Sequence, residues 1–137
     1  MLGFFGTGYS AEYGGAEMDE LAVVVLAEEL GRSTFSGVTI TVLVHTDMAS
    51  VLVADAGSAA QKMRWMRGIM SRDVITAIAV TEPDAGSDVK SIRMTARREG
   101  DSYALNGSKL FITNGVHADL RAPRRSRRSG PLGRRGF

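Results

Sequence analysis

Ala79-Val80-Thr81-Glu82-Pro83-Asp84-Ala85-Gly86-Ser87-Asp88 is the stretch on which the reading of this chain turns. An apolar run ends at Val80, Pro83 fixes φ and removes a backbone donor, and Gly86 lets the backbone approach a ligand closely. Thr81 and Ser87 add hydroxyls to the free N–H groups of the loop, a combination suited to ring edges and phosphate oxygens. Taken alone, Gly86-Ser87-Asp88 reads as a turn between strands more readily than as a site.

Working outward, the residues before the stretch have a helical character and those after it an extended one. Asp19 to Leu30 has acids in its first turn and Gly31 as a stop, and its wide apolar face predicts a nearly buried helix. Gly37 to Val53 is β-branched in its first half, so propensity alone favours a strand there. Ser58 and Gln61 have capping-box spacing, and Ala59, Met63, Met66 and Met70 then fall on one helical face. Val74 to Val80 reads as a strand, Ile92 to Arg97 as a half-exposed strand, and Glu99-Gly100-Asp101 as a turn. Tyr103 to Leu105 follows as a strand, Asn106-Gly107 as a tight hairpin, and Lys109 to Thr113 as the return strand. Helices followed by antiparallel strands predict an α+β fold in two segregated layers or domains.

The chain has 137 residues and a 44% hydrophobic fraction, which suits a globular domain. It has no cysteine, which excludes disulfides and thiolate metal sites. No apolar run reads as long enough for a bilayer, and the N-terminus lacks the basic region of a signal peptide. The two histidines, His45 and His117, have no partner at ligand spacing, so no metal is expected. The net charge of +2 conceals a division: 121–137 holds seven arginines and no acid, leaving ten basic and fifteen acidic residues in 1–120. The Arg-rich tail is expected to be disordered or the product of a shifted reading frame. Nucleic-acid binding through it is a competing reading that its lack of interleaved aromatics disfavours.

The ten-residue stretch resembles the flavin-contacting signature of the acyl-CoA dehydrogenase family. Phe111-Ile112-Thr113-Asn114-Gly115, after Asn106-Gly107-Ser108-Lys109, resembles that family's second flavin-contacting strand. Glu12-Tyr13-Gly14-Gly15, Glu28-Glu29-Leu30 and Gln61-Lys62 are weaker echoes of its helical N-terminal domain. The resemblance implies a partial N-terminal helical domain over 1–73, with 37–53 as one buried helix. It implies a partial, flavin-contacting middle β-domain over 74–120, an incomplete antiparallel β-barrel, with the tail at 121–137. It implies FAD as cofactor, held by Ile78, Val80, Thr81, Gly86, Ser87, Phe111, Ile112 and Thr113, with Ser87 also on the CoA side of the substrate. Phe111 would lie against the ring system and Thr113 near flavin N5. Many relatives have Trp at the Phe111 position, so an indole donor is lost here.

The implied activity is α,β-dehydrogenation of an acyl-CoA thioester, with hydride passing to FAD and electrons onward to an electron-transfer flavoprotein, in a bacterial cytoplasm. No catalytic residue is assigned, because the family's glutamate base comes from a C-terminal helical domain that the resemblance does not reach. Activity of this chain by itself is therefore not expected, and the homo-oligomer of the intact family does not carry over to it. An acyl-CoA oxidase or flavin monooxygenase of the same fold, or a non-functional fragment, are the alternatives.

Overall fold

The computed structural model describes residues 3–125; the expectations for the tail at 126–137 lie outside the described residues. The N-terminal segment folds on itself before the first long helix. A 3₁₀ turn at Ala11–Tyr13 ends at Gly14, whose φ of 88° suits glycine, in the turn that the sequence marks. A Cβ at Gly15 would lie 2.0 Å from the Tyr9 carbonyl oxygen, so the close return of this loop depends on glycine. The Tyr9 hydroxyl donates to the Thr46 carbonyl, tying the segment to the long central helix.

Helix α1 spans Glu20–Gly31, with Asp19 accepting from the Ala22 N–H at its N-terminus. None of its residues is buried, which corrects the expectation of near-complete burial: Leu21, Val24 and Val25 face outward. The Gly37 to Val53 stretch is helical despite its β-branched residues. Helix α2 (Ser36–Leu43), a π-helical turn (Val44–Ala49) and α3 (Ser50–Ala56) form one continuous rod. Only its second half carries buried residues, so the expected fully buried helix is half right. By length and composition this 21-residue rod could also cross a membrane, which the sequence reading had denied.

Helix α4 (Ala59–Ser71) starts with the capping box of Ser58 and Gln61. Its buried face is Met66, Ile69 and Met70; Met63 is 54% exposed, so the face is rotated from the one counted in the sequence. Val53 of α3 joins these three as the core, covered by Tyr9, Tyr13, Trp65, Val74 and Leu120.

Strand β1 (Thr76–Ala79) pairs in parallel with β4 (Leu120–Pro123), and β2 (Thr95–Glu99) pairs antiparallel with β3 (Ser102–Asn106). In place of the expected incomplete antiparallel barrel, the described residues form two two-stranded sheets, one of them parallel. The hairpin turn lies at Gly100-Asp101, as Glu99-Gly100-Asp101 predicts; Asn106-Gly107 makes no second hairpin. Lys109 to Thr113 is a loop and not a strand. Phe111 has a φ of 54°, which breaks an extended path. The ordered fold continues past the expected boundary at Leu120, since Arg121, Ala122 and Pro123 complete β4.

Candidate functional site

The signature stretch begins where β1 ends and is closed by a tight turn. The Glu82 N–H donates to the Ala85 carbonyl at 2.8 Å and the Ala85 N–H returns to the Glu82 carbonyl at 3.2 Å, with Pro83 between them. The Glu82 carboxylate points inward, where it accepts from the Arg93 N–H (2.7 Å), the Met94 N–H (2.9 Å) and Lys109 Nζ (2.9 Å). Lys109 Nζ also donates to the Val80 carbonyl at 2.8 Å. The side chains of this pair are only 7% and 6% exposed. The Arg93 N–H, then Lys109, then the Met94 N–H hold the Glu82 pKa down at about 2, outweighing the opposing effect of burial. Glu82 is therefore a fixed anion that organises the turn and holds no proton to exchange near neutrality.

The same lysine brings the second segment to the first. Adjacent to Lys109, the Leu110 N–H donates to the Thr81 carbonyl at 2.9 Å, so the chain at 109–111 runs beside 80–82. Beyond it, Phe111 projects outward, 91% exposed and in the left-handed region. Asn114, with a φ of 64°, turns the loop back and donates its side-chain N–H to the Thr41 carbonyl (3.1 Å) and the Thr76 carbonyl (3.2 Å). Arg121 Nε secures the loop end by donating to the Gly115 carbonyl at 2.9 Å.

Each residue expected to hold the cofactor has a definite place. Ile78 and Val80 are half-buried at the end of β1, while their neighbours Ala77 and Ala79 point into the core. Thr81, Ile112 and Thr113 are half-buried; Gly86, Ser87 and Phe111 are exposed. Among the described residues, the hydroxyls of Thr81, Ser87 and Thr113 make no intramolecular hydrogen bond. A Cβ at Gly86 would meet nothing within 4 Å, which leaves that part of the loop open to an approaching group. The structure joins the 78–81 and 110–113 segments; Gly86 and Ser87 follow the Glu82–Ala85 turn in the chain and make no hydrogen bond to 109–113.

An exposed aromatic held at positive φ, unengaged hydroxyls on either side of a strand end, and an open glycine turn suit a flat ring with polar edges and a phosphate tail. The sequence reading missed three supporting residues: Lys109, Asn114 and Arg121. The first two lie within the quoted stretches, and a lysine and an acid in neighbouring motifs was the available signal.

A model of the acyl-CoA dehydrogenase N-terminal domain matches residues 1–73, and one of the middle domain of the same enzymes matches residues 77–122. The chain belongs to the acyl-CoA dehydrogenase family. Among its relatives, an acyl-CoA dehydrogenase of Bacillus subtilis is 37% identical over 118 residues, which is 86% of this chain and 31% of the relative. The crystal structure of an acyl-CoA dehydrogenase from Geobacillus kaustophilus superposes with a TM-score of 0.78 at 41% identity, over 88% of this chain and 31% of that one. PigA with FAD and proline superposes at 0.83 with 33% identity, over 88% and 32%. The chain thus spans about a third of the length of the acyl-CoA dehydrogenases it matches. The middle-domain match ends at residue 122, within β4 and past the boundary at Leu120.

Proposed function

We propose that this chain supplies the flavin-facing half of an FAD-dependent acyl-CoA dehydrogenase. The observation that carries the reading is the joining of the Thr81 strand end to the chain at Leu110, which brings the two motifs together while Phe111 stays exposed and the Thr81 and Thr113 hydroxyls stay unengaged. Ile78, Val80 and Ile112 would line the apolar edge of the cofactor site, Phe111 would cover a ring face and exclude water, and Thr81 and Thr113 would donate to ring heteroatoms. Gly86 and Ser87 would meet the pyrophosphate, with Ser87 also toward the CoA portion of the substrate. FAD held there would supply the acceptor for the hydride that leaves the β-carbon of an acyl-CoA thioester. The electrons would pass on to an electron-transfer flavoprotein.

Glu82 does not serve as the base for the α-proton, because its carboxylate is committed to Lys109 and two backbone N–H groups. The base would be another group within hydrogen-bond reach of the α-proton. The test is flavin retention by the full chain, followed by fluorescence quenching on titration with FAD. Thr81→Val and Thr113→Val should each weaken binding about fivefold, the effect of one hydrogen bond of roughly 1 kcal/mol. Unchanged affinity in both variants would remove the reading. Rapid oxygen consumption by the reduced, flavin-loaded protein would instead place it with the oxidases.

A further inference from the structure

The buried polar contacts between the helical layer and β1 converge on one imidazole. His45 lies in the π-helical turn, where its carbonyl accepts from the Ser50 N–H, from Ser50 Oγ at 2.5 Å and from Thr76 Oγ1 at 3.2 Å. A π turn widens the ladder by one residue and frequently marks a functional position. The ring is itself fully engaged. Nδ1 lies 3.1 Å from the Thr76 backbone N and 2.9 Å from Thr76 Oγ1; Nε2 lies 3.0 Å from the Ile69 carbonyl. A backbone N–H can only donate, so Nδ1 must accept and Nε2 must carry the proton. One neutral tautomer therefore clamps the central rod, the last turn of α4 and the first residue of β1.

The clamp reaches the candidate site through Thr76. The Thr76 carbonyl accepts from the Asn114 side chain, which also holds the Thr41 carbonyl of α2. Displacing Thr76 would remove one of the two carbonyls that hold the Asn114 amide, and so loosen the loop that carries Phe111, Ile112 and Thr113. Burial lowers the His45 pKa, helped by the positive charge of Arg72 and opposed by the Ile69 carbonyl. Asp73 lines the same recess as Arg72, but accepts from the Ser71 hydroxyl. Asp47 on the rod accepts from the Thr46 hydroxyl, and Asp119 beside β1 from the Ile75 N–H. None of these acids is hydrogen-bonded to the imidazole.

We infer that His45 is a positioning residue for the 111–115 loop, acting through Thr76 and Asn114, and that protonating it releases that loop. Protonated Nδ1 cannot accept the Thr76 N–H, which then has no acceptor in a buried strand. The inference rests on the flavin reading only for the loop's purpose; the latch itself is readable without flavin.

The test is hydrogen exchange of the 111–115 amides in the full chain between pH 7.5 and 5, corrected for intrinsic exchange. In parallel, NMR of the His45 ring is followed in a His117→Asn background, which leaves one histidine. The account predicts a neutral Nε2–H tautomer and loop opening that grows as pH falls below about 6.5, by at most tenfold per unit for one proton. His45→Gln keeps a donor and an acceptor but does not titrate, and should flatten this profile. Asn114→Ala should open the loop at every pH while leaving the His45 titration in place. The inference is overturned if loop protection stays constant while His45 titrates, or if the Nδ1–H tautomer is found. A folded His45→Gln with an unchanged profile would overturn it as well. Loss of flavin binding with an intact pH-dependent latch would count against the flavin reading alone.

Discussion

At the scale of single residues, burial decides which charges matter. Arg93 and Asp84 form an ion pair at 3.2 Å with side chains 78% and 70% exposed, and such pairs contribute about 0–1 kcal/mol. Lys109 and Glu82 meet at 2.9 Å almost free of solvent, where removing one partner strands the other. Lys109→Met should therefore lower the melting temperature far more than Asp84→Asn, and Glu82→Gln combined with Lys109→Met should recover part of the loss. A melting series of these three variants against the parent checks this. Glu82 also sets an acid limit. Its folded pKa of about 2 lies below the ordinary 4.5, so between these values the unfolded chain binds more protons. The stability that it contributes is complete above pH 4.5 and is lost as pH falls toward 2; denaturant titrations across that window should show the decline. Glu82→Gln should remove this part of the pH dependence. His45, also held below its ordinary value, loses its contribution in a higher window, as pH drops from 6.5 toward its lowered folded value.

At the scale of elements, legibility followed the range of the interactions that define each one. The start of α4 could be read because Ser58 and Gln61 satisfy each other within three residues. Its buried face was misjudged because what it packs against, Val53, Tyr13 and Leu120, lies far off in sequence. Met66→Ala should cost about 2–5 kcal/mol and Met63→Ala less than about 0.5, a contrast that denaturant unfolding reads directly. The β-branched first half of the central rod became helix against its propensity, as tertiary context often dictates. The misreading at 109–113 has a similar origin. Leu110-Phe111-Ile112 has the apolar character of a strand, but the Leu110 N–H is taken by Thr81 and Asn114 draws the loop onto Thr41 and Thr76. The two motifs were legible as stretches of sequence, whereas their joining through Lys109 and Asn114 required the fold.

At the scale of the whole molecule, the chain spans about a third of the relatives it matches and leaves much apolar surface on the helical layer uncovered. Leu21 and Val24 on α1, Phe35 ahead of α2, and Val38 and Ile40 on it are all exposed. Patches of this kind mark interfaces or association-prone surfaces. Light scattering of the isolated chain should show self-association, and Leu21→Glu with Phe35→Ser should reduce it without lowering thermal stability. The candidate site is held from within by the Glu82–Lys109 pair and by the Asn114 bonds, one of which reaches Thr41 on the same helix α2. The central claim is that 78–81 and 111–113, with the 86–87 turn toward the phosphate end, receive a flavin. An amide-resolved NMR titration of the full chain with FAD tests it most directly. The account predicts that Val80, Thr81, Gly86, Ser87, Ile112 and Thr113 shift together along one binding curve. No shift at these amides, or shifts confined to the recess between Phe5 and Arg72, would contradict it.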